Sequence, residues 1–362
     1  MNNIFSPITL GDYQLSNRVF MAPLTRGRAV ENGVPNAIMA EYYGQRAGAG
    51  LIIAEATAVD KKGLGWMNAP GIYNNEQQAG WKKVAQKVHE NSGRIFVQLW
   101  HMGSTVHPDF IEGELPVSSS AVKQQGSLTT PKGRDREFVV PQPLSKTQIT
   151  DTVQMFAKAA RRAVDAGLDG VEIHGANGFL VDQFTRDGIN QREDEYGGSI
   201  DNRLRFMMEV VDAVCNEVGS GKVGIRISPT NKVWGIKDSD PKATFTRAVT
   251  RMNDFNLAYV HILEPKPNSG HPVETVDYLT PALRQSYKGN LIINGGYDKD
   301  SANDALGKKE AEAIAFGTPF IANPDLVERF QKNAQLAQPD STTFYTPGAK
   351  GYTDYPSMPA AK

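Results

Sequence analysis

His174 and Asn177 stand three positions apart in the stretch Glu172-Ile173-His174-Gly175-Ala176-Asn177, close enough for both side chains to project from one turn. An imidazole and a carboxamide are neutral hydrogen-bond donors. Aimed at one point, they hold a carbonyl or nitro oxygen and stabilise the negative charge that grows there during reaction. Taken alone, His174 is better read as a core histidine satisfied by backbone, with Asn177 a turn residue. The case for chemistry comes from other positions. Gln98 and Arg226 lie inside apolar runs, where an unpaired polar side chain is costly, so a bare packing core has little reason to hold them. Gly295-Gly296 and Gly317-Thr318 close two further apolar runs. Glycines let main-chain N–H groups approach an anion, and a helix N-terminus adds a favourable dipole. Either pair alone serves a tight turn; the two together favour a phosphate-bearing ligand.

The elements that must position these groups recur along the chain. Short apolar runs fall at 19–22, 51–55, 94–99, 170–174, 223–228, 259–263, 291–294 and 313–316. They are rich in β-branched residues and show little alternation, as expected of parallel strands covered on both faces. Helical patterns separate them at 36–48, 76–91, 149–166, 202–218, 241–256, 272–286 and 300–307. This alternation predicts an α/β fold, a (β/α)8 TIM barrel rather than a doubly wound sheet. The chain 1–362 is expected to be a single domain, with its core at about 5–336 and a tail at 338–362 packing near the barrel mouth. Segment 102–146 is expected to hold a hairpin or a lid, and 175–199 forms a second long loop; loops of such length are often functional. Barrel enzymes place catalytic groups at the carboxyl ends of strands. Here the runs end in Pro23-Leu24-Thr25, Glu55-Ala56, Trp100-His101, His174-Gly175, Ser228-Pro229, Asn294-Gly295 and Phe316-Gly317.

Composition narrows the function classes. The 362 residues are 40% hydrophobic and 22% charged, with a formal net charge of −1 and no basic stripe, which argues against a nucleic-acid partner. Cys215 is the only cysteine, so an internal disulfide and a thiolate metal cluster are ruled out. It lies in an apolar periodic stretch and reads as a packed helix thiol. The six histidines include no pair at metal-ligand spacing with a carboxylate, and His101 and His107 sit in a loop-like segment, so no metal site is expected. No basic segment followed by an apolar run opens the chain, and no apolar stretch approaches the about 20 residues of a membrane helix. A soluble, cytoplasmic protein is expected. No G-x-S-x-G or P-loop motif is present, and the one G-x-G-x-x-G, Gly219-Ser220-Gly221-Lys222-Val223-Gly224, leads into an apolar run instead of following one, so it does not read as a dinucleotide-binding turn.

At this point the sequence resembles the Old Yellow Enzyme family of FMN-containing ene reductases, from Phe5 to about Pro356. The blocks that carry the likeness are Asn17-Arg18-Val19-Phe20-Met21-Ala22-Pro23-Leu24-Thr25-Arg26, Gln98-Leu99-Trp100-His101-Met102-Gly103 and 170–178. Further blocks are Asn190-Gln191-Arg192-Glu193-Asp194-Glu195-Tyr196-Gly197-Gly198-Ser199-Ile200, Ile321-Ala322-Asn323-Pro324-Asp325-Leu326 and Gly351-Tyr352-Thr353-Asp354-Tyr355-Pro356. The resemblance implies tightly but non-covalently bound FMN, reduced by NADPH or NADH as a transient donor. An electrophilic alkene (an unsaturated carbonyl, maleimide or nitroalkene) then takes the hydride in a ping-pong cycle. It also implies roles. His174 and Asn177 bind the substrate's electron-withdrawing oxygen. Thr25 lies near the reactive edge of the flavin, and Gln98 and Arg226 on its pyrimidine side. Pro23, Leu24 and Ala56 give backbone contacts, and Gly295, Gly296, Gly317 and Thr318 hold the phosphate. Trp66, Trp100, Phe179 and Tyr345 line the substrate pocket. Arg192, Asp194, Tyr196 and Arg203 belong to a family block but read as loop bracing. A monomer or homodimer is expected.

Two positions depart from the family pattern. Many members carry a tyrosine where this chain has Phe179, and that hydroxyl is thought to protonate the substrate's α-carbon; water or Tyr345 is expected to do so here. Many place an arginine where this chain has Thr318, which predicts weaker FMN retention unless Lys299 or Arg284 substitutes. Two other classes remain in play: a cofactor-free barrel aldolase or isomerase using Glu55 or Glu172, and a flavin-binding redox sensor with little turnover.

Overall fold

The computed structural model describes residues 3–265 and 278–359. Eight parallel strands close into a barrel. They are β1 (Val19–Met21), β2 (Leu51–Ala58), β3 (Ile95–Trp100), β4 (Gly170–Gly175), β5 (Val223–Ile227), β6 (Tyr259–Leu263), β7 (Leu291–Asn294) and β8 (Ala313–Phe316). β8 pairs with β1, so the ring leaves no open edge. Every residue of β2, β3, β4 and β5 is buried, which accounts for the missing polar alternation in the sequence.

Helices follow the strands: α1 (Ala37–Gln45), α2 (Asn75–Glu90), α3 (Lys146–Asp165), α4 (Ile200–Val218), α5 (Pro241–Met252), α6 (Thr280–Ser286) and α7 (Lys299–Gly307). Their starts obey local chemistry. Asn74 with Gln77, and Ser145 with Gln148, form reciprocal capping boxes that satisfy otherwise orphaned N–H groups. The helix expected at 272–286 begins at Thr280, and that expectation up to residue 277 lies outside the described residues. After β8 the chain forms two short helices that the sequence pattern did not signal, α8 (Thr318–Ala322) and α9 (Leu326–Lys332).

The barrel interior is layered. Phe20, Ile53, Phe96, Tyr259, Ile292 and Ala315 pack together in one apolar cluster. A hairpin of Ile8–Leu10 with Tyr13–Leu15, also unforeseen, joins that cluster and closes the amino ends of the strands. Its Tyr13 hydroxyl donates to Asp169 O at 2.6 Å, just ahead of β4. Further along the strands toward their carboxyl ends the buried residues turn polar: Gln98 and His261 lie two positions beyond Phe96 and Tyr259, and Glu172 and Arg226 sit on β4 and β5 between them.

The long loops brace that end. Segment 102–146 does contain a hairpin, Ser127–Thr130 with Gly133–Glu137, and Leu128 and Phe138 beside it pack with Trp100 and Phe179. In the second loop Arg192 grips Asp194 at 2.6 Å and donates to Leu144 O at 2.7 Å. Arg203 donates to Thr185 O at 2.9 Å and Gly198 O at 2.7 Å, and the Tyr196 hydroxyl donates to Glu209 at 3.0 Å. These groups hold chain to chain, as read from sequence. Cys215 is a half-buried helix thiol whose pKa burial pushes up to about 12, far from a nucleophile's range.

The tail is pinned by buried arginines. Arg26 donates to Gly351 O at 2.7 Å and Arg28 to Thr343 O at 2.7 Å, while Arg46 donates to Phe320 O and Ile321 O of α8 at 2.9 Å each and reaches Tyr352 O at 3.5 Å. Tyr352 stacks on Tyr42 with ring centroids 3.9 Å apart.

Candidate active site

A cavity of about 750 Å³ opens at the carboxyl ends of the strands, a size suited to a cofactor plus a small substrate. Register brings its floor together: Gln98 lies beside Glu172, His174 beside Arg226, Arg226 beside His261, and Leu263 beside Asn294. Buried Glu172 is the organiser. It accepts from Gln98 Nε2 at 2.7 Å and pairs with His261 Nδ1 at 2.8 Å. Gln98 therefore has its Oε1 left for a ligand. Arg226 donates from Nη2 to Asn294 Oδ1 at 2.8 Å, and Asn294 in turn donates to Ala315 O at 2.7 Å. The Nε of Arg226 is buried without a partner among the described residues. An unmet guanidinium N–H this deep invites an acceptor.

His174 stands at the carboxyl end of β4 and Asn177 on the turn that follows it, and both line the cavity. The Ala176 N–H donates to His174 Nδ1 at 3.3 Å. A main-chain N–H can only donate, so Nδ1 carries the lone pair and the proton of the neutral ring sits on Nε2. Burial, then the Arg226 charge and His261, pushes the imidazolium well below the usual histidine range. His174 is thus a neutral N–H donor. Asn177 has φ +58°, a left-handed conformation that asparagine tolerates better than most side chains. Its own N–H donates to Ser228 Oγ at 2.8 Å, and its Oδ1 accepts from Asn231 Nδ2 at 2.8 Å. That leaves the Asn177 NH2 as the free end.

Every other site residue expected from sequence lines the same cavity. Pro23, Leu24 and Thr25 come from the turn after β1, and Ala56 from a bulge in β2 where register shifts beside Glu55. Gly295 and Gly296 follow β7, with φ +142° and +77°, and a Cβ on Gly295 would meet Glu264 O at 2.3 Å. Gly317 and Thr318 follow β8. On the substrate side the Phe179 ring meets Trp100 edge-on at 5.1 Å and His174 at 4.9 Å, and Trp66 meets Tyr345 at 5.3 Å. Reasoning from sequence missed Asn231, Trp234, Asn294, Leu336 and Ala337. Asn294 closes a strand run next to a Gly-Gly turn, a signal that was readable. Trp234 has φ +55° and packs its ring 5.4 Å from Phe179, which no pattern announces.

Comparison with known proteins decides the family. The chain matches the NADH:flavin oxidoreductase / NADH oxidase family over residues 3–337. A probable flavin mononucleotide-dependent alkene reductase of Leishmania infantum is 41% identical over 98% of this chain and 97% of its own length. Among solved structures, the Old Yellow Enzyme homologue from Zymomonas mobilis superposes with a TM-score of 0.95 at 42% identity, covering 98% of this chain and 99% of that one. Morphinone reductase bound to tetrahydroNAD gives 0.93 at 42% identity, over 99% and 98% of the two chains. The chain belongs to the NADH:flavin oxidoreductase family. It is an FMN-dependent NAD(P)H oxidoreductase of the ene-reductase type.

The donor set suits the flavin of this family. The polar edge of an FMN ring alternates carbonyl acceptors with an imide N–H. Arg226 offers N–H groups, one of them buried and unmet, and Gln98 offers an oxygen. Two substitutes suggested for the missing arginine at Thr318 are placed elsewhere. Lys299 bonds Asn333 Oδ1 at the surface, and Arg284 is committed to Glu312 at 2.7 Å and to Gly289 O. Neither lines the cavity, so that expectation is corrected. The aldolase or isomerase reading also falls to family membership and geometry. Among the described residues no lysine lines the cavity. Glu55 is a buried brace, accepting from Arg26 N at 3.1 Å, Gly27 N at 3.3 Å and the Tyr43 hydroxyl at 3.0 Å. Glu172 holds Gln98 and His261 as described.

Proposed function

We propose that the cavity reduces small electrophilic alkenes (unsaturated ketones and aldehydes, maleimides and nitroalkenes), with His174 and Asn177 gripping the activating oxygen. The observation that carries this reading is the polarity of the pair: each has its acceptor atom occupied, at 3.3 Å for His174 Nδ1 and 2.8 Å for Asn177 Oδ1, so each offers an N–H to the cavity. In this reading Pro23, Leu24, Thr25, Ala56, Gln98 and Arg226 hold the FMN ring, and Gly295, Gly296, Gly317 and Thr318 its phosphate. When bound, FMN supplies the hydride that reaches the β-carbon of the alkene, after accepting one from NADPH or NADH. The residues do the rest. His174 Nε2–H and Asn177 NH2 draw negative charge onto the oxygen as the β-carbon becomes electrophilic, a gain realised most fully in the transition state. Trp66, Trp100, Phe179 and Tyr345 orient the alkene and exclude water from its face. The α-carbon proton comes from water at the rim, where Tyr345 is 57% exposed, since Phe179 has no hydroxyl to give.

The reading extends to the whole chain as one FMN-binding barrel domain, 1–362, acting in the cytoplasm as a monomer or homodimer on small molecules. The single cysteine suits a reducing compartment. Among the described residues no helix is long and apolar enough to cross a membrane. The test is a paired titration of the yellow holoenzyme without oxygen. NADPH should bleach it and 2-cyclohexenone should restore the colour, and Asn177→Ala should slow the second step about a hundredfold while the protein stays yellow. Bleaching without recolouring would point to a redox sensor; full-speed recolouring in Asn177→Ala would remove the pair from the mechanism.

A further inference from the structure

We infer that Asn231, on the turn after β5, is a positioning residue that sets which end of the Asn177 amide faces the substrate. A carboxamide can present its NH2 or its oxygen after a half-turn, with almost no change of shape. For an oxygen that gains negative charge, only the NH2 end stabilises, and the other end repels. The neutral His174 beside it cannot correct a wrong choice. Something must therefore fix the polarity of Asn177, and the backbone does not: its φ of +58° and its N–H bond to Ser228 Oγ fix the turn but not the amide.

Asn231 supplies that direction through a relay. Its Oδ1 accepts from the Val233 N–H at 2.9 Å, and its Nδ2 donates to Asn177 Oδ1 at 2.8 Å. The Val233 N–H is a main-chain donor and cannot reverse. It forces the oxygen of Asn231 inward, hence the NH2 of Asn231 toward Asn177, hence the oxygen of Asn177 toward Asn231. The one remaining polar atom, Asn177 Nδ2, takes no partner among the described residues and is left for a ligand. His174 obeys the same logic in a single step, from the Ala176 N–H to Nδ1. Two fixed main-chain donors thus polarise both members of the pair. The turn that carries Asn231 is itself held, by the Asn231 N–H on Ser228 O at 3.2 Å and by the Trp234 ring against Phe179 and Phe138 at 5.4 and 5.3 Å. This inference rests on the oxygen-binding role given to Asn177 above.

The experiment is a double-mutant cycle on FMN-loaded enzyme, with NADPH and 2-cyclohexenone, reading kcat and KM separately alongside flavin content and melting midpoint. Asn231→Leu keeps size and removes the relay; its kcat should fall about tenfold. Asn177→Ala should fall about a hundredfold. In the Asn177→Ala background, Asn231→Leu should change kcat by less than about twofold, because residues acting through one another are not additive. An equal tenfold loss in both backgrounds would mean a separate structural effect and overturn the inference, as would full activity in Asn231→Leu while Asn177→Ala is impaired. If Asn177→Ala is itself unimpaired, the oxygen-binding reading fails first. Should Asn231→Leu shed flavin or melt early, Asn231→Asp serves in the same cycle: it still accepts from Val233 but cannot donate to Asn177, and its outcomes read the same way.

Discussion

At the scale of single residues, the replacement at Phe179 has the plainest consequence. Its ring lies 4.9 Å from that of His174 and 5.1 Å from that of Trp100, and all three line the cavity in which the proposed reaction takes place. If proton delivery to the α-carbon limits turnover, Phe179→Tyr should accelerate enone reduction by roughly the 10²–10⁴-fold span of general acid catalysis at most, and by several-fold at least. Nitroalkenes should gain little, because their nitronate products are stable anions. Unchanged enone turnover, with no solvent isotope effect on flavin reoxidation, would show that protonation is not limiting. The state of His174 makes a second prediction. Burial, Arg226 and His261 hold its imidazolium well below the ordinary range, so lowering the pH from about 8 to about 6 does not charge it. Stopped-flow reoxidation by 2-cyclohexenone should show no transition assignable to His174 in that window, and a step that disappears in His174→Asn would contradict the neutral assignment.

At the scale of elements, the turn from β8 into α8 bears on FMN retention. Gly317 and Thr318 line the cavity, and the only arginine on its wall among the described residues is Arg226. A charge-assisted hydrogen bond to the phosphate is worth about 1.5–3 kcal/mol, so Thr318→Arg should tighten FMN binding by roughly tenfold to a hundredfold. Apoprotein titrated with FMN, followed by flavin fluorescence, measures it; equal affinities would mean that main-chain donors already satisfy the phosphate. The barrel strands were legible in sequence because burial on both faces leaves continuous apolar runs, and Gln98 and Arg226 stood out because they interrupt such runs. What stayed hidden was short or relational. The hairpin Ile8–Leu10 with Tyr13–Leu15 and the helices α8 and α9 are three to seven residues long, below the length at which period can be read. Asn231 acquires its meaning only from a partner 54 residues away. Trp234 sits in a conformation that its type does not favour, so no propensity points to it.

At the scale of the whole molecule, the mouth is a place where distant segments are tied by buried polar groups, and that has a cost in acid. Arg26 and Arg28 fasten the tail, Arg46 fastens α8, and Glu55 fastens the turn that carries Thr25. Close to this frame, His101 is buried directly after β3, with its Nδ1 accepting the Gly103 N–H at 3.0 Å. Burial pushes its pKa from 6.5 down to about 4, against a weaker pull from Asp60. In the unfolded chain the ring takes a proton near the ordinary value; in the folded protein it does not until about pH 4. Between those limits the unfolded state holds more protons, so stability is full above the upper limit and falls as the pH falls. His174 and His261 are shifted in the same direction and add to the same slope. For His101 alone the loss is on the order of 3 kcal/mol across the window. His101→Asn retains an oxygen that can take the Gly103 N–H but cannot titrate, so it isolates the effect. Melting midpoints of the holoenzyme, measured from about pH 7.5 to about pH 4.5, should fall more steeply for the natural protein than for His101→Asn, so that the natural protein loses ground to the variant toward the acid end. Parallel curves would show that His101 takes its proton in the folded state as readily as in the unfolded one.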